Sequence, residues 1–155
     1  MNRKILFLLL CAAIAWPALA QSHSERMAVA VDYNYAYKHE QSGVGLKFLY
    51  AFTDNWRVEP EVMYLAKNEG VSTLNLSLNA HYVLPLASRV GVYALAGINY
   101  SHWGLTGPDE DRVGANLGAG VEMRFNPVGI FAEHRFQLVS HESQNITSVG
   151  LRFYF

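Results

Sequence analysis

Cysteine is nearly missing from this chain: among 155 residues only Cys11 carries a thiol. It lies in an apolar run, Ile5 to Ile14, that follows Arg3 and Lys4 and precedes Trp16-Pro17 and Ala18-Leu19-Ala20. A basic start, a short apolar stretch and an A-x-A site read as a secretory signal peptide over residues 1–20, cut before Gln21. The run falls short of the ~20 residues a spanning helix needs. Leu10 is not the small residue that a lipidation site wants before its cysteine. Residues 21–155 then hold no cysteine at all, which excludes disulfide staples and thiolate chemistry.

Long hydrophobic runs are also missing. No other stretch approaches 18 apolar residues, so a spanning helix is excluded and any entry into a membrane must be made by strands. A basic surplus is absent too. Without Arg3 and Lys4 the twelve basic residues fall to ten, against thirteen acidic ones, which gives no footprint for nucleic acid. No repeat motif and no linker divides residues 21–155, which read as one domain.

What is present is alternation. In the last seven residues Val149, Leu151, Phe153 and Phe155 share one parity, and Gly150, Arg152 and Tyr154 share the other. Successive side chains of a strand point to opposite faces, so this segment has one apolar face and one small, charged or amphipathic face. Such an apolar face on a terminal edge strand invites aggregation in water, but not against lipid. Seven earlier segments repeat the pattern, at about 27–38, 44–52, 56–65, 74–84, 90–101, 113–125 and 128–138. Pro60 removes a ladder donor in the third, where a bulge is expected. Short turns are expected at 53–55, 85–88 and 126–127. Loops are expected at 39–42, 67–70, 102–112 and 140–144, with 102–112 the longest.

Eight strands with an apolar parity must close into a barrel if that parity meets hydrocarbon, because unpaired edge groups are excluded there. The fold class is therefore all-β, a closed eight-stranded antiparallel transmembrane barrel whose even strand count returns both termini to the same side. Eight strands leave a lumen that side chains can fill. The inward parity carries basic Lys38, Lys47, Arg57, Arg124, Arg135 and Arg152 against acidic Asp32, Glu59, Glu61, Glu122 and Glu133. Their near balance suits a buried ion-pair network. Outward aromatics suit interface girdles: Phe52, Trp56, Tyr82 and Phe125 with Phe155 at the short-turn end, and Tyr37, Tyr64 and Tyr100 at the loop end.

With its signal peptide, Phe131-Ala132-Glu133-His134-Arg135-Phe136 and the terminal Leu151-Arg152-Phe153-Tyr154-Phe155, the chain resembles the small outer-membrane barrels: the OmpA transmembrane domain, OmpX and the opacity/Ail-type proteins. That resemblance implies residence in the bacterial outer membrane, among its lipids and lipopolysaccharide. It also implies insertion by the barrel-assembly machinery, which reads the terminal strand through Leu151, Phe153 and Phe155. It implies no single activity. A monomer with a structural or adhesive surface role is the expectation.

Candidate chemistry is sparse. His39, His102 and His141 fall in loops near Asp109, Glu110 and Asp111, where a metal is conceivable, but solvated loop residues are expected; no metal or cofactor is. His141-x-Ser143 is similar to the H-x-S of lipid A deacylases, which carries an alternative: an acyl hydrolase using His141 and Ser143. Gln144 departs from the asparagine expected there. A narrow pore is the other alternative. The sequons at Asn75 and Asn145 are taken as chance. His134 lies by parity on the lipid face, where an inward-rotating bulge or a neutral imidazole tucked against Tyr or Phe would account for it.

Overall fold

The computed structural model describes residues 26–68, 71–104, 110–139 and 143–155. The expected signal peptide and His141 lie outside them. Eight strands follow one another: β1 (Met27–Ala36), β2 (Gln41–Ala51), β3 (Trp56–Asn68), β4 (Val71–Pro85), β5 (Val90–Gly104), β6 (Glu110–Arg124), β7 (Val128–Val139) and β8 (Gln144–Tyr154). Each pairs antiparallel with its chain neighbours, and β1 pairs with β8 from Ala28↔Tyr154 to Ala36↔Ile146, closing the barrel. Closure gives each of the eight described strands a partner on both sides, which removes the free edge strands of an open sheet.

The parity read from the last strand settles which face is which. Leu151 and Phe153 are 42% and 45% exposed, whereas Arg152 between them is 0% exposed. The same inversion holds in the other strands. Val31, Tyr33, Leu46, Phe48, Leu76 and Leu78 stand outside, and Asp32, Asn34, Lys47, Asn75, Ser77 and Asn79 are buried inside. A barrel in water would bury the first set. An apolar outside around a polar inside is the arrangement of a barrel solvated by lipid.

Hairpin ends are made by local chemistry. At 52–55 the amides of Phe52 and Thr53 both donate to the Trp56 carbonyl, and the Trp56 amide donates to Thr53 Oγ1 at 2.9 Å. Asn126 takes a positive φ of 28° before a cis bond to Pro127. The Phe155 amide donates to the Met27 carbonyl at 2.9 Å, which ties the start of β1 to the residue after β8 beside these turns.

Three expectations about the strands need correction. The first strand stops at Ala36, so Lys38 lies exposed in the β1–β2 turn and not in the lumen. Both described ends of the expected 102–112 loop are strand: Ser101 pairs with Arg112, His102 with Asp111 and Trp103 with Glu110. Continued pairing satisfies backbone groups that a loop would leave to water. Pro60 makes no bulge. It pairs with Leu78 in unbroken register, and the register to β2 is the same on either side of it, at Lys47↔Glu61 and Tyr50↔Val58. A φ locked near −65° is still compatible with extended chain. The irregularity lies between Leu65 and Asn68. The wall is also uneven. Gly114 already pairs with Val139, the last residue of β7, so the start of β6 stands beyond its neighbour at the loop end.

Candidate functional site

The lumen is crossed by long charged side chains. Lys47 Nζ, fully buried, lies 3.2 Å from Glu133, 3.3 Å from Asp32, 3.4 Å from Glu59 and 3.8 Å from Glu61. Arg135 grips Glu61 through both terminal nitrogens, one of them at 2.8 Å, and reaches within 3.8 Å of Glu133. Arg152 bonds Glu59 at 2.6 Å and also Glu122. Arg57 bonds Glu122 at 3.0 Å. Its Nε donates to His81 Nδ1 at 3.1 Å, so a neutral His81 carries its proton on Nε2, 3.7 Å from Glu59. Nine of the eleven residues read as a lumen network meet here. Of the other two, Lys38 is in the turn, and Arg124 is half-buried at the short-turn mouth with its guanidinium 3.6 Å from the Tyr154 ring centre.

Aromatic rings complete the cluster, a role that strand parity by itself does not reveal. The Tyr93 hydroxyl donates to Glu133 at 3.0 Å, its ring stacks on His81 at 4.8 Å, and Arg57 lies over it at 4.6 Å. Tyr154 donates to Glu122, and Arg152 lies 4.4 Å from the Phe131 ring centre. The available signal was register. Gly120 sits directly opposite Tyr93, and a Cβ there would fall 2.3 Å from Tyr93 Cζ. An inward ring facing a glycine has the space to lie across the lumen.

On the β4–β6 side the filling changes to short uncharged groups. Asn116 Nδ2 donates to Asn79 Oδ1 at 2.9 Å and Ser77 Oγ at 3.1 Å, while its Oδ1 accepts from Asn99 at 2.8 Å. Asn75 donates to Ser101 at 2.7 Å and accepts from Ser77 at 2.7 Å. Ala36, Met63, Leu65 and Ile146 pack together nearer the loop end.

Among the described residues, ligand atoms of Glu59, His81 and Glu133 lie within 4.8 Å of one another. The Lys47 ammonium lies 3.4 Å from Glu59 and 3.2 Å from Glu133, so the chain itself sets a cation between these carboxylates. The expected loop histidines diverge. His39 packs edge-on against the buried ring of Trp103 at 5.1 Å, while His102 Nδ1 lies 2.6 Å from Asp111 at the surface. Ser143 is exposed just before β8, and its expected partner His141 is outside the described residues.

The outer wall carries its aromatics at both ends. Phe52, Trp56, Tyr82 and Phe125 are exposed toward the short turns, and Tyr37, Tyr64 and Tyr100 toward the loops. His134 is exposed on the outer face of β7 in unbroken register with Thr147, so no bulge turns it inward. Its ring lies edge-on to Phe136 at 5.5 Å and Tyr37 at 6.2 Å.

A family model described as "Outer membrane protein beta-barrel domain" matches residues 6–151. No curated protein sequence matches the chain. Among solved structures, the N-terminal barrel of Pseudomonas aeruginosa OprF is similar at 20% identity and TM-score 0.65, over 83% of this chain and 96% of that one. Yersinia pestis Ail is similar at 17% identity and TM-score 0.59, over 83% and 98%. The outer membrane enzyme PagL is similar at 10% identity and TM-score 0.58, over 83% and 99%. At these identities the likeness is one of fold.

Proposed function

The chain belongs to the outer membrane protein beta-barrel family and resides in the bacterial outer membrane; on that footing we propose a structural or adhesive role, exercised at the membrane surface without catalysis. The observation that carries this reading is the filled lumen. Lys47, Arg135 and Arg152, each buried, meet carboxylates from distant strands in the middle of the barrel. Such a plug opposes ion flow and leaves the outer wall and loop end as the working surfaces. Planar-bilayer recordings of the purified barrel should be silent; steady conductance steps would replace this reading with a narrow pore.

The second reading is an acyl hydrolase acting on lipid A, with His141 as base and Ser143 as nucleophile. Supporting it, Ser143 borders a cleft of about 240 Å³ on the outer wall, lined also by Tyr37, Phe136 and Leu138. Incubation with lipopolysaccharide should release no fatty acid. Release that disappears in Ser143→Ala would put the hydrolase first.

Biogenesis completes the proposal. Residues 1–20 direct export and are removed, both termini then stay in the periplasm, and the barrel works as a monomer among outer-membrane lipids. The assembly machinery reads the terminal strand through Leu151 and Phe153, exposed on its outer face, and Phe155. Deleting Phe155 should lower the amount of heat-modifiable barrel in the outer membrane while leaving export intact; unchanged amounts would remove the residue from that role.

A further inference from the structure

His134 places an imidazole on a wall otherwise made for hydrocarbon. Below it on the same face of β7 are Ala132 and Ile130, and above it Phe136 and Leu138, all exposed. Its Nδ1 is engaged by Thr147 Oγ1 at 2.9 Å, and that hydroxyl in turn bonds the Tyr37 hydroxyl at 3.1 Å. Either direction of this chain leaves the second ring nitrogen as one donor or one acceptor on a lipid-facing surface. An unsatisfied group there is costly.

The chain of three polar groups is built across β7, β8 and β1, and it does not stand alone. The cleft lined by Tyr37, Phe136, Leu138, Lys38, Ser143 and Asn145 occupies the same seam. Tyr37 and Phe136 belong both to the cleft and to the surround of the imidazole. Toward the loop end the cleft is polar, with exposed Lys38 in the β1–β2 turn and exposed Ser143 before β8. Below, it is aromatic and aliphatic. Deeper still comes the polar patch of His134 and Thr147. A lysine at the rim, an apolar wall and a hydrogen-bonding point further down the wall follow the order of groups along one kind of molecule.

We propose that the β7–β8–β1 seam binds a membrane lipid with an anionic headgroup and a hydroxylated acyl chain. The headgroup lies by Lys38, the chain runs over Tyr37, Phe136 and Leu138, and the chain hydroxyl bonds the outward nitrogen of His134. Charge complementarity at the rim and the polar point within an apolar wall select this occupant over an ordinary phospholipid. The site goes beyond the proposed surface role and requires only that the barrel is membrane-embedded.

The test uses the purified, heat-modifiable barrel in phosphatidylcholine nanodiscs. These contain a small fraction of phosphatidylglycerol with either β-hydroxymyristoyl or plain myristoyl chains, and native mass spectrometry counts the lipid retained. Wild type should keep the hydroxylated lipid over its match by roughly five-fold, the contribution of one hydrogen bond. His134→Phe and Thr147→Val should each abolish that preference with the heat-modifiable band intact. Lys38→Gln should lower retention of both anionic lipids and leave the preference for the hydroxyl. Should His134→Phe fail to fold, His134→Gln keeps a hydrogen-bonding group on the wall and should keep the preference. Equal retention of the two lipids, a preference that survives in His134→Phe or is lost in a folded His134→Gln, or a dimer that depends on His134 would overturn the proposal. Loss of the heat-modifiable band in wild type would instead strike at the barrel itself.

Discussion

Two parts of the same lumen are filled on different principles. In the middle of the barrel, long charged side chains span the lumen: Lys47 meets Glu133, Arg152 meets Glu59 and Arg135 meets Glu61, pairs drawn from strands that are not neighbours in the sheet. On the β4–β6 side, Asn, Ser and their partners reach across one lumen layer or to the next strand, as Asn99 does to Asn116 and Asn75 to Ser101. The charged part braces opposite walls, and the uncharged part ties together the adjacent run β4, β5 and β6. The first is the more exacting arrangement, because each ion deprived of water depends on its partner being present.

That difference can be broken most severely at Lys47. Lys47→Met leaves Asp32, Glu59, Glu61 and Glu133 without the cation they share, and should cost ~3–5 kcal/mol in urea unfolding from vesicles. A loss under ~1 kcal/mol would mean the carboxylates are neutralised some other way. A double variant sharpens the point. Glu61→Leu alone takes from Arg135 the carboxylate it grips with both terminal nitrogens, but Glu61→Leu with Arg135→Met removes both charges and should regain at least half of the single loss. Breaking a buried pair is costly, whereas replacing it whole is often neutral.

In the uncharged part, Asn116→Ala removes a hub bonded to Ser77, Asn79 and Asn99, and should cost ~1–3 kcal/mol. A cost equal to that of Lys47→Met would erase the distinction between bracing and stitching. The smallest effect is expected outside the lumen. His102 and Asp111 pair at the surface with both side chains well exposed, where solvent screens the interaction, so Asp111→Asn should leave the urea midpoint where it was.

Much of this architecture was legible from the chain itself. Period-two alternation assigned Lys47, Arg57, Glu59, Glu61, Glu122, Glu133, Arg135 and Arg152 to the interior, because the pleat leaves a side chain only two directions. It was least informative at strand ends. Lys38 continues the parity of Ala36, and nothing local says that the chain turns one residue earlier. Trp103 likewise reads as loop beside Gly104, Gly107 and Pro108, yet it is 3% exposed and packed under His39 and Arg112. Its place depends on a hairpin whose pairing continues beyond β7. The role of Tyr93 was hidden for a related reason: an inward tyrosine has no stated direction until Gly120 is known to stand opposite.

Sequence alone determined the inside and outside of this protein, the number of strands, and closure, since all three follow from the parity of neighbouring residues and the cost of an unpaired backbone in lipid. Tertiary structure decided which acid meets which base. Those partners come from strands that only the barrel's closure and register bring face to face, so no spacing along the chain encodes them. The same is true of the outer seam, where Tyr37 and His134 share Thr147 because β1 and β7 flank β8.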